Sequence, residues 1–280
     1  MTYTIRAGER ILSFETPKIM GVININEDSF YQTSRATTIK DILSKAEKHL
    51  LEGADIIDIG AMSSRPGAQL SNAKEEAELL SKICKTVSKE FNCILSVDTV
   101  HSQVAQECFD NGALIINDIS FGTIDQNMFS IVANLKTPYI GMHMIGTPET
   151  MQKNTNYNNV TLEVIQHLSK QIAKFMEAGG GDLIIDPGFG FSKDIHQNYQ
   201  MLDQLHLFAM LQKPILVGLS RKSMIYKLLN ISSEEALNGT TVLHTIALIK
   251  GAQILRVHDV KEAQECIELV STLNSSHTVS

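Results

Sequence analysis

KIMGVININEDSF, residues 18–30, opens as an almost unbroken apolar run and closes as a polar loop. A run without polar–apolar alternation suits a parallel strand covered on both faces. A doubly wound open sheet follows its first strand with a glycine-rich phosphate turn. NINEDSF has no G-x-G-x-x-G glycines, so this strand belongs to another parallel architecture.

Seven more runs of the same kind follow: ADIIDIG ending at Gly60, CILSVD at Asp98, ALIIND at Asp118, PYIGMH at His143, DLIID at Asp186, PILVGLS at Ser220 and AQILRVH at His258. Between them lie amphipathic helical stretches such as KDILSKAEKHLLEGA and SNAKEEAELLSKICKTVSKEF, with apolar residues at three- and four-residue intervals. Gly53, Gly112, Gly181 and Gly251 stand where helices should stop before the next strand. Strand–helix alternation eight times over implies an α/β fold: a single (β/α)8 TIM barrel over residues 18–273. Residues 1–17 read as a short N-terminal β-hairpin around Ala7 and Gly8 that caps the barrel floor, and 274–280 as a flexible tail.

A net charge of −7 argues against nucleic acid and acidic membranes as partners. Four scattered cysteines without C-x-x-C form neither a zinc nor a disulfide framework and read as buried small hydrophobes in a reducing compartment. No apolar run approaches the roughly 18 residues of a membrane span, and MTYTIRAGER carries charge where a signal peptide is apolar. The expectation is a cytoplasmic protein.

Barrel ligands sit at the C-terminal ends of the strands. Those ends carry Asn24, Asp58, Asp98, Asn117, His143, Asp186, Ser220 to Lys222, Arg256 and His258. Asp98, Asn117 and Asp186 offer carboxylate and amide edges that suit a flat heterocycle with amidine-like N–H groups, and Lys222 adds a donor. Arg65, Arg256 and His258 form a second, cationic group suited to phosphate oxygens, and the nearby amide of Asn24 can help to hold magnesium. A small heterocycle next to a phosphate-rich group is the implied ligand. Asp58 reads as a buried structural acid outside the site and His143 as a structural barrel histidine. KEEAE at 74–78 reads as a solvated helix face, and Arg221 as the partner of an acid outside the site.

GVININEDSF, DIIDIGAMSSRPGA, SVDT, IINDIS, GMHMIGTPETMQ, DPGFGF, VGLSRKS and RVHDV, in this order, resemble the dihydropteroate synthases over roughly residues 19–260. The resemblance implies a folate-pathway transferase and sulfonamide target. It would condense 6-hydroxymethyl-7,8-dihydropterin diphosphate with p-aminobenzoate, using Mg2+, and release diphosphate. The implied pterin pocket is Asp98, Asn117, Asp186 and Lys222, with Met142 and Phe191 packing on the ring. The implied diphosphate and magnesium site is Asn24, Arg65, Arg256 and His258. Phe30, Ser64, Pro66, Lys222 and Ser223 would meet p-aminobenzoate, with SRKS starting a helix. The family's chemistry proceeds by ionisation, so Asp98 would stabilise a pterin cation and Arg65, Arg256 and His258 the departing charge. Asp28 would pair with Arg65 as loops close over the diphosphate. Arg256→Ala is expected to cost orders of magnitude in turnover with the fold intact. A homodimer is implied as well.

The chain departs from the family in its first loop, where Asn26, Glu27 and Gln32-Thr33-Ser34 stand in place of Thr, Pro and Asp-Gly-Gly. Ser192 and Tyr226 stand where glycine is common. Two other readings share parts of the pattern: a methyltetrahydrofolate methyltransferase, which has no use for a diphosphate site, and a non-catalytic pterin-binding module, favoured only by the first-loop changes.

Overall fold

The computed structural model describes residues 3–25, 35–61 and 67–276, with the backbone alone for 35–38 and 276. Thr4–Ala7 (β1) and Arg10–Ser13 (β2) pair antiparallel. Eight parallel strands follow: Lys18–Asn24 (β3), Ile56–Gly60 (β4), Ile94–Asp98 (β5), Ile115–Asp118 (β6), Tyr139–Met142 (β7), Leu183–Asp186 (β8), Leu216–Val217 (β9) and Ile254–Val257 (β10). Neighbours pair in chain order from β3 to β8, while β10 lies between β3 and β9. The ring closes between β8 and β9 through one parallel bridge, Ile185 to Ile215, with the Ile185 N–H donating to Pro214 O at 3.0 Å.

Helices of the described residues separate the strands: Arg35–Leu51 (α1), Ala73–Glu90 (α2), Ser102–Phe109 (α3), Met128–Leu135 (α4), Val160–Glu177 (α5), Ile195–Asp203 (α6), Ser223–Leu229 (α7), Leu237–Ile249 (α8) and Val260–Ser276 (α9). The architecture is a nearly closed eight-stranded barrel with an N-terminal hairpin, as the strand count implied. No helix of the described residues is long and apolar enough to cross a membrane.

The two faces of each strand do different work, because successive side chains point in opposite directions. Ile19, Ile57, Leu95, Ile116, Tyr139, Ile185, Val217 and Leu255 face outward into the layer shared with the helices. One residue per strand faces inward at the bottom: Met20, Ile56, Ile94, Ile115, Ile140, Ile184, Leu216 and Ile254. This apolar ring packs against Ile5, Ala7, Leu12 and Phe14 of the hairpin segment, which plugs that end of the barrel. Water is thereby excluded from the floor, and every polar inward residue must lie above it.

Four expectations need adjustment. PILVGLS keeps strand geometry only at Leu216–Val217, because β9 meets β8 at one bridge and the chain turns at Leu219, whose carbonyl accepts from the Lys222 N–H at 3.3 Å. β7 ends at Met142, one residue before His143. The stop after α5 is Gly179, with φ 85°, and not Gly181: Gly179 and Gly180 N–H groups take up the carbonyls of Met176 and Phe175. The last helix continues past residue 273 to Ser276, with Thr272 and Ser275 hydroxyls donating back to the carbonyls of Glu268 and Thr272.

Candidate active site

Two residues above the apolar ring, the inward positions become polar. On β4 the sequence Ile56–Asp58 takes this step, on β5 Ile94–Ser96–Asp98, on β6 Ile115–Asn117, on β8 Ile184–Asp186 and on β10 Ile254–Arg256. The period of two sends all of them into the same end of the cylinder. Arg256 is the hub. Its Nε donates to Asp58 Oδ2 at 2.7 Å and its Nη2 to Asp98 Oδ2 at 2.6 Å. Asn117 Nδ2 also donates to Asp58 Oδ2, at 3.1 Å. Asp58 is fully buried, and among the described residues its Oδ1 has no hydrogen-bond partner, as is true of the adjacent Ser96 Oγ.

Asp58 is thus a buried structural acid as read, yet it belongs to the site, because it aims both Arg256 and Asn117. The Arg256 expectation changes with it: this guanidinium compensates two buried acids, so its removal cannot leave the fold untouched. Burial, with Asp58 and Glu76 nearby, pushes the Asp98 carboxyl up to about 7 against the pull of Arg256. Arg256 itself is held further above its ordinary range by Asp58 and Asp98, which overcome its burial.

Asp186 and Lys222 face one another across the closure between β8 and β9. Burial raises the Asp186 carboxyl, while Lys222 and the Gly188 N–H, donating to Asp186 Oδ1 at 2.7 Å, pull it down. Lys222 falls to about 8 through burial, with Asp186 opposing and Arg256 adding to the fall. Its Nζ donates to Phe189 O and lies 4.6 Å from the ring centroid of Phe191. Phe191 and Met142 form an apolar wall with Val100, Ile119, Met144 and Met151. The pocket therefore has acidic acceptors below, a cation at one side and an apolar wall.

Above it stand Asn24, exposed at the end of β3, and His258 just past β10. His258 Nδ1 shares a 3.0 Å hydrogen bond with Ser220 Oγ. Burial, then Arg256, brings its pKa down to about 4, so at neutral pH it is a neutral imidazole and not the cation the sequence implied. Ser223 is the first residue of α7, as expected of SRKS, and Lys222 is its N-cap. Asp28, Phe30, Ser64, Arg65 and Pro66, like Asn26, Glu27 and Gln32, lie outside the described residues.

Three further side chains behave differently from their surroundings. Arg221 forks onto Asp259, with Nε to Oδ2 at 2.8 Å and Nη2 to Oδ1 at 2.9 Å, and so faces away from the pocket. Glu76 is buried, not solvated, and accepts from Ser71 Oγ, while among the described residues its Oε1 has no hydrogen-bond partner. It shares the buried stripe of α2 with Leu80, Ile83, Cys84 and Val87, which the helical period places on one face. Lys193 is buried behind the DPGFGF turn, and burial lowers its pKa to about 7 although Asp186 opposes the fall. Nothing in the sequence singled it out.

A family model described as pterin-binding enzyme matches residues 20–258. The dihydropteroate synthase of Escherichia coli K12 is 38% identical over 267 residues, covering 95% of this chain and 94% of that protein. A Yersinia pestis dihydropteroate synthase solved with a sulfonamide drug complex superposes with a TM-score of 0.92 at 34% identity, covering 98% of this chain and 100% of that one. A Xanthomonas albilineans dihydropteroate synthase in complex with 7,8-dihydropteroate gives 0.86 at 30% identity, covering 97% and 99%.

Proposed function

Because the chain belongs to the pterin-binding enzymes, among the dihydropteroate synthases, we propose that its pocket joins 6-hydroxymethyl-7,8-dihydropterin diphosphate to p-aminobenzoate and releases diphosphate. The observation that carries this reading is the convergence of Asp98, Asn117, Asp186 and Lys222 on one cavity end with Arg256 at its centre.

The pterin enters edge-on. Its amidine N–H groups donate to Asp186 and Asp98, Asn117 offers its amide oxygen because its N–H2 is engaged by Asp58, and Lys222 donates to a ring acceptor. Met142 and Phe191 pack on the ring face. The methylene C–O bond to diphosphate breaks as the pterin cation forms, and the aniline nitrogen of p-aminobenzoate then bonds to that methylene carbon and loses a proton. No side chain has to act as nucleophile. Asp98 and Asp186 stabilise the cation, and the remaining Nη1 of Arg256 stabilises the departing charge, together with Arg65 and a hydrogen bond from His258. Arg256 so couples the two halves of the reaction, since the same guanidinium touches the pterin acid and faces the leaving group.

Ser223, at the start of α7, receives the aminobenzoate carboxylate. The family resemblance assigns Phe30, Ser64 and Pro66 to p-aminobenzoate as well, and Asp28 and Arg65 to the diphosphate side, and exclusion of water protects the cation from capture. Asn24, exposed at the end of β3, would offer magnesium one neutral oxygen ligand. The ion would supply charge to the diphosphate oxygens. The protein works in the cytoplasm as a homodimer, paired through α8 and α9, where Val242, Ile249 and Leu269 are exposed.

Mixing both substrates with magnesium tests the reading. Diphosphate should appear in step with dihydropteroate, and omission of p-aminobenzoate or magnesium should stop it. Pterin binding without diphosphate release would instead make the chain a binding module. Light scattering at micromolar concentration checks the dimer.

A further inference from the structure

Lys193 lies in the segment between β8 and α6, just outside the pterin pocket, and is nearly inaccessible to solvent. Its ammonium has three N–H donors, and three acceptors surround it: Gly188 O at 2.9 Å, Phe191 O at 2.9 Å and His143 Nδ1 at 3.0 Å. Burial and the neighbouring Lys193 hold His143 well below its ordinary range, so its ring is neutral and offers a lone pair. The His167 ring meets it edge-on at 4.8 Å.

Both carbonyls belong to groups that shape the pocket. Gly188 donates its N–H to the Asp186 carboxylate. Its φ is 74°, and a Cβ there would stand 2.1 Å from His143 O, so the turn fits only against the end of β7. Phe191 places its ring beneath the Lys222 ammonium. The turn between them gives Phe189 O to Lys222 and is tied from the other side by Asn198 Oδ1, which accepts from Gly190 N–H at 2.7 Å. Asp194 starts α6 immediately afterwards with a capping box, so the Lys193 backbone has little freedom. Ser192, at the family's usual glycine position, adds a second tie: its Oγ accepts from Ile145 N–H at 2.9 Å and donates to Ile145 O at 3.0 Å.

Taking the pterin reading above as its premise, we infer that Lys193 is a positioning residue for pterin recognition: from behind the turn it holds the Asp186 acceptor and the Phe191 ring in the spacing that a pterin edge and face require. The role does not depend on its charge. A deprotonated Nζ keeps two N–H donors for the carbonyls and turns its lone pair to His143, whose ring can carry its proton on Nδ1.

Lys193→Met keeps the length of the stem and removes the donors. The KM for the pterin diphosphate should rise about tenfold or more, since small displacements of positioned groups are costly. The KM for p-aminobenzoate should stay within about twofold, because Lys193 bonds to Gly188 and Phe191 of the pterin side, while Ser223 is carried by a different element, α7. Lys193→Cys, treated with bromoethylamine, rebuilds a lysine-like amine and should restore the pterin KM, with the parent protein alkylated in parallel as control. Calorimetric titration with 6-hydroxymethyl-7,8-dihydropterin should give the same order of affinities. A lowered Tm with an unchanged pterin KM would make Lys193 merely structural and overturn the inference. So would an equal rise in both KM values, or an aminoethylated protein no better than the untreated Cys variant. If Lys193→Met does not fold, Lys193→Gln is carried through the same comparison. Failure of the parent protein to turn over at all would count against the proposed reaction and not against Lys193.

Discussion

Arg256→Ala should damage stability and catalysis by separable amounts. The substitution strands Asp58, which is fully buried, and Asp98, which is nearly so, at hydrogen-bond distances of 2.7 and 2.6 Å from the lost guanidinium. Removing one partner of a buried ion pair costs about 3–5 kcal/mol. The Arg256 side chain retains 21% exposure, so water can enter and the low end, about 3 kcal/mol, applies. For a chain of this size that is a fall in Tm of roughly 6–12 °C. The deficit must depend on pH. The native Asp98 carboxyl is already raised to about 7, above its unfolded range, and losing Arg256 raises it further. A native carboxyl with a raised pKa costs nothing below the unfolded pKa and destabilises progressively above it. The parent carries the same cost until its own Asp98 ionises near pH 7, so the gap in Tm between variant and parent should stay level from pH 5 to about pH 7 and widen from there to pH 8. Adding Asp58→Asn removes one stranded charge and should return about half of the lost stability, a coupling read from the double-mutant cycle. Turnover should stay roughly 100- to 1,000-fold down in both variants, because the leaving-group contact is gone either way. Thermal melts across pH and initial-rate diphosphate release measure the two effects. A variant that melts with the parent at pH 8, or an Asp58→Asn addition that returns nothing, would refute the charge-compensation argument.

Affinity for 6-hydroxymethyl-7,8-dihydropterin should rise through about pH 7 as Asp98 ionises and fall above about pH 8 as Lys222 loses its proton, and calorimetry should lose the rising limb in Asp98→Asn and the falling limb in Lys222→Met. Arg221→Met breaks the fork onto Asp259 and the Nη1 bonds to the Ser233 and Glu234 carbonyls, so denaturant titration should show a loss of about 1–2 kcal/mol with kcat within twofold. Phe14→Ala opens the barrel floor and should cost about 3 kcal/mol by the same measurement, with both KM values unchanged, because the polar layer begins two residues above.

The strands were legible because each is buried on both faces and so reads as an apolar run without alternation. That same uniformity hid which face points inward. Asp58 looked like an isolated acid in DIIDIG; only its register, opposite Ser96 and one step below Asp98, shows that it shares a wall with the pocket. Glu76 was hidden inside an acidic block, although its spacing from Leu80, Ile83, Cys84 and Val87 puts it on the buried stripe. The strand-end residues Asp98, Asn117, Asp186 and Arg256 could be read directly, since the ends of barrel strands converge whatever the helices do. The neutrality of His258 could not, because it follows first from burial and then from Arg256, with Arg221 and Lys222 adding to the fall, and folding alone brings these together. Lys193 was invisible for a related reason: a lysine in a loop reads as solvated until the loop folds back over it.

The join between β8 and β9 is the thinnest part of the wall, a single bridge at Ile185 and Ile215. Asp186 stands on one margin of that seam and Lys222 on the other, so a pterin gripping both acts as a clasp across it. Substrate would then do for the upper rim what a full ladder of hydrogen bonds does elsewhere around the ring. Occupancy of the pocket should accordingly slow amide exchange at Ile185 more than at Ile57 or Ile116, whose strands are laced on both sides without help.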